Sequence, residues 1–274
     1  MSTLRHLSRR HRLALFFGLT FLVSWAAWPF TVEDPVLLTF GPLTAALVVV
    51  GLTEGAAGYR DLLQRLLRWR IGWWWVVAAG TPLAVLAVAS LAGVAVWGAP
   101  VPDLAGLGWG ALAASAALRL VNPGDGPAGE EPGWRGYAQP RLQALTSPLG
   151  ATSVLAVFAT LWHLPLVVAG SLPVVGLPVT FAITFVYAWL FNRTGGSLLA
   201  TLVFHVLQGT VTYQALGFTG ADAERMDLLT GALWVLLAVA VVTLDRRVWR
   251  VAPEGTVTDV APREPTTPAA AARR

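Results

Sequence analysis

The chain has no cysteine, and among its 274 residues there is no lysine either, so all 19 basic residues are arginine. The first absence removes disulfides, thiolate metal ligands and cysteine nucleophiles, and it leaves no prenylatable cysteine on the chain itself. Any metal would have to sit on histidine, carboxylate or amide groups. Charge of either sign is also scarce: 12% of residues are charged against 55% hydrophobic. A soluble domain keeps roughly a quarter of its residues charged to cover its surface, so water is not the main solvent here. The formal charge is +4, but the arginines flank apolar runs, which fits the positive-inside rule rather than a nucleic-acid partner.

A membrane-spanning helix needs roughly 20 predominantly apolar residues, and about eight runs approach this length. They begin near Leu13, Val36, Trp73, Leu107, Leu149, Val175, Leu198 and Leu228. The first follows Arg9, Arg10 and Arg12, but Ser24 to Trp28 offers no small-x-small cleavage site, so it reads as a retained helix. Crossing the bilayer at each run places Arg5, Arg9, Arg10, Arg12, Arg60, Arg65, Arg68, Arg70, Arg135, Arg141, Arg193, Arg246, Arg247 and Arg250 on one side. Glu33, Asp34, Asp103, Asp222, Glu224 and Asp227 fall on the other, with Arg225 as the basic exception.

The arginine side is the cytoplasmic one. The expectation is an all-α polytopic helical bundle in the inner (plasma) membrane, with the lipid bilayer as its surroundings and both termini cytoplasmic. One membrane-embedded domain would cover 1–250. The Pro-, Thr- and Ala-rich stretch 251–274 reads as a disordered cytoplasmic tail. Tyr59 to Arg70 reads as a short amphipathic helix on the inner surface, with Leu62, Leu63, Leu66 and Leu67 on one face and Arg60, Arg65 and Arg68 around the other.

Polar side chains within apolar runs are the informative ones, because a charged residue at the bilayer centre costs roughly 2.5–3.5 kcal/mol. His163, in Leu161-Trp162-His163-Leu164-Pro165, and His205, in Val203-Phe204-His205-Val206-Leu207, each fall inside such a run. Singly, a buried histidine is more often a hydrogen-bonded structural residue than a ligand. As a pair at comparable depth on separate helices, the two imidazoles can converge on one ion or one water.

The most specific string is Gly129-Glu130-Glu131-Pro132-Gly133-Trp134-Arg135-Gly136-Tyr137. Pro132 fits the first turn of a helix, with Glu131 near the cap. Glu131 and Arg135, four apart, can pair, while Glu130 points about 100° away and is free to face something else. The same residues also fit a solvated inner-face cluster with Arg135 and Arg141, and local chemistry alone leaves both readings open.

At these residues the sequence resembles the CAAX-prenyl-protease-like and bacteriocin-processing (CPBP, Abi) family of intramembrane metalloproteases. Glu130, Glu131 and Arg135 match E-E-x-x-x-R, His163 matches the histidine of F-x-x-x-H, and His205 matches that of H-x-x-x-N. The region from roughly 41 to 208 is compatible with that fold. The resemblance implies an intramembrane metalloendopeptidase cutting a membrane protein or peptide. Glu130 would be the water-activating carboxylate, His163 and His205 would complete the water or metal site, and Glu131 with Arg135 would form a supporting ion pair.

A catalytic zinc takes about three N or O ligands and one open position, so Glu130, His163 and His205 are the implied set for a divalent metal such as zinc. Two positions depart from the pattern. Ala159 replaces the phenylalanine of the second motif, with Phe158 next to it, and Gly209 replaces the asparagine of the third, with Gln208 the nearest substitute. No H-E-x-x-H occurs. Asp125 has no partner aspartate in the membrane, and Ser197 after Gly195-Gly196 reads as a turn into a helix rather than as a nucleophile. The competing reading is a non-catalytic scaffold, or a small transporter using His163 and His205 as an ion relay.

Overall fold

The computed structural model describes residues 7–31 and 36–257, and within them the chain is helical throughout, without a strand. Arg5, Glu33, Asp34 and the tail from 258 onward lie outside the described residues. Among the described residues, four segments are long and apolar enough to cross a membrane. They are α1 (Arg9–Ser24) with its 3-10 extension to Phe30, α4 (Trp74–Trp97), the pair α8 (Pro148–Trp162) and α9 (Leu164–Val168), and α12 (Gly220–Leu244).

The other apolar runs fold as shorter helices. These are α2 (Gly41–Thr53), α5 (Trp109–Val121) and α11 (Leu198–Thr210), each of 13 residues, and α10 (Gly176–Arg193), of 18. At about 1.5 Å per residue, 13 residues cover only about 20 Å of a hydrocarbon layer about 30 Å thick. Local chemistry sets some of these limits. Ser147 and Ser197 cap α8 and α11 by accepting from Gly150 N at 3.2 Å and Ala200 N at 3.1 Å. Pro148 sits in the first turn of α8. The outer surface exposes Leu91, Val96, Leu236 and Leu244, apolar side chains that a bilayer covers and water does not. The chain is therefore a helical membrane protein.

Two apolar clusters flank the motif-bearing segment. One joins Phe16 and Phe17 of α1 and Val49 and Val50 of α2 to Trp134, Tyr137, Leu155 and Trp162. The other joins Ala78 of α4, Tyr187 and Leu190 of α10 and Phe204 of α11 to Trp234 and Ala238 of α12. Phe158 stacks on Phe17 at 4.0 Å. The aromatic displaced by one position from the second motif thus serves packing at the first cluster.

The surface helix is α3 (Ala56–Leu66), and its faces differ from the sequence pattern. Leu63 and Leu67 face outward, whereas Arg65 is buried, pairing with Asp61 at 3.1 Å and donating to Gly255 O at 2.8 Å. The stretch 251–257, placed by composition at the start of a disordered tail, is docked. Gln143 Nε2 donates to Thr256 O and Oγ1 at 3.0 and 3.1 Å, and Thr256 is fully buried. Backbone carbonyls compensating buried side-chain donors hold it there, a source of order that composition does not reveal.

Candidate active site

The string around Glu130 forms one continuous helical passage made of α6 (Pro127–Glu131), a π-helical stretch Pro132–Ala138 and α7 (Gln139–Gln143). Its start corrects the sequence reading, because Pro127 rather than Pro132 occupies the first turn, following Gly126 at φ +81°. Pro132 therefore lies in the interior, where it can neither donate a hydrogen bond nor tolerate the carbonyl four residues earlier. The chain widens into π turns just there, with Gln139 N donating to Trp134 O. Gly133 lets α2 come close: a Cβ at this position would lie 2.4 Å from Pro42 Cβ and 2.5 Å from its backbone oxygen.

Glu131 is fully buried, and its Oε1 accepts from Arg135 Nη1 at 3.0 Å and from His205 Nδ1 at 2.9 Å. The i,i+4 pair is thus present, and in addition it grips the histidine of α11. A carboxylate paired to a guanidinium only accepts, so Nδ1 of His205 carries a proton, and whenever the ring is neutral its lone pair is on Nε2. The Arg135 guanidinium lies 4.3 Å over the Tyr187 ring, which also packs against Phe204 and His205. Glu131 therefore fixes one imidazole from behind.

His163 stands at the break between α8 and α9, two residues before Pro165. Its Nδ1 lies 2.7 Å from Ala159 O. A carbonyl can only accept, so this ring too is protonated on Nδ1, with Nε2 left as the acceptor. Trp162 packs edge-on to the ring at 4.9 Å and hence limits its rotation.

Glu130, His163 and His205 border one cavity of about 340 Å³, shared with Arg135, Tyr187 and Gln208. Glu131 does not line it. Gln208 takes a long contact of 3.5 Å from Tyr187 Oη. Farther along the cavity, Tyr213 donates to Asp227. The side chains thus come from α6, the α8–α9 junction and α11, three segments distant in sequence. A zinc set drawn from Glu130, His163 and His205 does not fit the arrangement as folded. No three His, Asp or Glu side chains among the described residues gather closely enough to hold one ion, although Nδ1 of each histidine is bonded to a protein oxygen and Nε2 is the nitrogen that would hold a metal.

Arg119 was not among the candidate residues, yet it belongs to this neighbourhood. It is the one ionisable residue of α5, and its Nη1 donates to Gly209 O at 2.8 Å. A Cβ on Gly126 would stand 3.3 Å from Glu130 Oε1 and 3.8 Å from Arg119 Nη2, so carboxylate and guanidinium border the same glycine. The signal available in the sequence was a lone arginine inside an apolar run. Ser197 is fully buried, donates to Arg68 O at 2.7 Å and caps α11, which is a structural task.

Residues 113–211 match the model of a family described as Type II CAAX prenyl endopeptidase Rce1-like. The chain is also similar to CAAX prenyl protease 2 of Methanococcus maripaludis, being 26% identical over 132 residues. That alignment takes in 44% of this chain and 47% of the relative, so the chain spans about half the length of the curated relative it matches. The family match contains Glu130, Glu131, Arg135, His163, His205 and also Arg119.

Proposed function

Because residues 113–211, which carry the motifs, match a CAAX-protease-like family model, we propose that this protein is an intramembrane endopeptidase that hydrolyses a peptide bond of a membrane-associated protein or peptide. One observation carries the reading: Glu130, His163 and His205, from three separate segments, border a single cavity. Glu130 accepts a proton from water as the water oxygen adds to the scissile carbonyl carbon, and the carbonyl π electrons move onto its oxygen. The tetrahedral species collapses with cleavage of the C–N bond, and the proton held by Glu130 passes to the leaving nitrogen. With Nδ1 of both rings protonated, Nε2 of one imidazole, His163 or His205, accepts the second hydrogen of the attacking water and orients it, and the other borders the same cavity. Glu131 and Arg135 keep His205 in that tautomer. Water and side chains account for every step, and none passes through a metal.

In this proposal the cavity opens toward the cytoplasmic side, both termini are cytoplasmic, the apolar runs lie in the plasma membrane and nucleic acid is not a partner. The test uses purified protein in detergent and a set of quenched-fluorescence membrane peptides, including a farnesylated peptide ending in the CAAX sequence and its unprenylated form. Wild type is expected to cleave, with turnover lost in Glu130→Ala, His163→Ala and His205→Ala. Cleavage is expected to persist in a chelator, and loss that zinc restores would reinstate a metal. Equal cleavage by all four proteins, or by none, would leave the scaffold or ion-relay reading in place.

A further inference from the structure

We infer that Arg119, reaching in from α5, supplies the hydrogen-bond donor and positive charge for which position 209 has no side chain. The inference rests on the peptidase reading and adds a residue to its site. The third motif calls for an amide at 209, and the chain has glycine there. That glycine is not merely a gap in the pattern. A Cβ at 209 would stand 2.7 Å from Arg119 Nη2 and 3.2 Å from Cζ, so the guanidinium already fills the space a side chain at 209 would claim. Glycine at 209 and arginine at 119 thus fit as a pair, the glycine leaving the room that the guanidinium occupies.

Three further observations point the same way. The guanidinium is anchored at one end only, by Nη1 on Gly209 O. Its Nε is buried without a hydrogen-bond partner, and Arg119 makes no ion pair among the described residues. A half-buried cation on an apolar helix, neither neutralised nor saturated, is costly for the fold alone and is a functional residue by default in a membrane. Finally, the group borders the same glycine as Glu130 Oε1. The guanidinium thus stands beside the carboxylate that activates water in the proposed addition step.

A guanidinium is a stronger substitute than Gln208, whose side-chain oxygen faces Tyr187. It is always charged and presents several N–H donors in one plane. Preorganised donors of this kind act on charge that develops in the transition state, and removing one costs about 100-fold or more in turnover. The effect belongs in kcat, with KM little changed, because the charge is absent from the bound substrate.

The experiment compares wild type, Arg119→Ala, Arg119→Lys, the double variant Arg119→Ala/Gly209→Asn and Glu130→Ala on a peptide that wild type cleaves, with thermal unfolding followed in parallel. Arg119→Ala should lose kcat by about 100-fold while KM stays within about threefold. Arg119→Lys should keep an intermediate rate, and guanidinium ion added to Arg119→Ala should restore part of kcat. In the double variant the vacated space admits an asparagine, and kcat should rise at least tenfold above Arg119→Ala. Arg119→Ala at the wild-type kcat would overturn the inference and leave the peptidase intact. So would a loss that neither guanidinium ion nor the added Gly209→Asn change relieves, since that marks a purely structural arginine. Equal rates in wild type and Glu130→Ala would instead remove the peptidase and this inference together. Should Arg119→Ala fail to fold, the lysine and double variants carry the same comparison.

Discussion

Replacing Glu131 by glutamine tests the frame that holds His205. The substitution nearly conserves shape but removes the charge from a carboxylate that is fully buried and takes both Arg135 and His205 on Oε1. The Arg135 side chain is itself 5% exposed, so its charge cannot turn to water when its counter-charge is lost. Breaking a buried pair from one side costs about 3–5 kcal/mol, whereas removing both charges together costs far less. Glu131→Gln should therefore be destabilised by about 3–5 kcal/mol, and Glu131→Gln/Arg135→Met should recover most of that loss.

A second effect is kinetic. With no carboxylate behind it His205 loses its fixed tautomer, and turnover should fall with it. Stability would be measured by reversible denaturation in mixed micelles, followed through tryptophan fluorescence, and turnover on a cleaved peptide. The double variant should regain stability without regaining turnover. A Glu131→Gln protein as stable as wild type, or a double variant no more stable than the single one, would refute the reasoning.

Gly133→Ala pushes a methyl into the backbone of Pro42 and should cost about 1–3 kcal/mol in the same assay, where Gly80→Ala, with open space at its Cβ, should not. Burial works to raise the Asp245 carboxyl, but hydrogen bonds from Arg193 at 2.5 Å and Trp189 at 2.8 Å, with the guanidinium charge, hold it below the usual range. Its contribution to stability is present above the unfolded pKa of about 3.9 and lost as pH falls through the lower folded value. The stability gap between wild type and Asp245→Asn should thus close below about pH 4, as read from unfolding midpoints. Since the chain has no cysteine, single cysteines at Ser8, Asp222 and Arg247 can be labelled cleanly in cells. An impermeant maleimide should reach only the one at 222, and the reverse pattern would invert the proposed topology.

The helical class was legible from apolar runs and sparse charge, because both follow directly from the solvent. The i,i+4 pairing of Glu131 with Arg135 and the turn at Gly195-Gly196-Ser197 into a helix were legible too, being local. Pairing over long sequence separation was not. Nothing in a linear pattern ties Glu131 to His205, or Arg119 to Gly209, and the arginine was hidden by reading it as part of a span. Pro132 misled because proline marks a helix start far more often than an interior position, and the start was already taken by Pro127. Composition likewise gave no sign that Thr256 would be gripped by Gln143. Run length overstated helix length, since the apolar runs near Val36, Leu107 and Leu198 became helices of 13 residues.

The central claim is that Glu130 activates water for peptide hydrolysis, and single-turnover cleavage in ¹⁸O-enriched water tests it most directly. Wild type should place one ¹⁸O in the newly formed carboxyl group, and Glu130→Gln should be slower by about 10²–10⁴-fold with its fold intact, the usual loss of a positioned base. Glu130→Gln turning over at the wild-type rate, or wild-type product carrying no label, would contradict it.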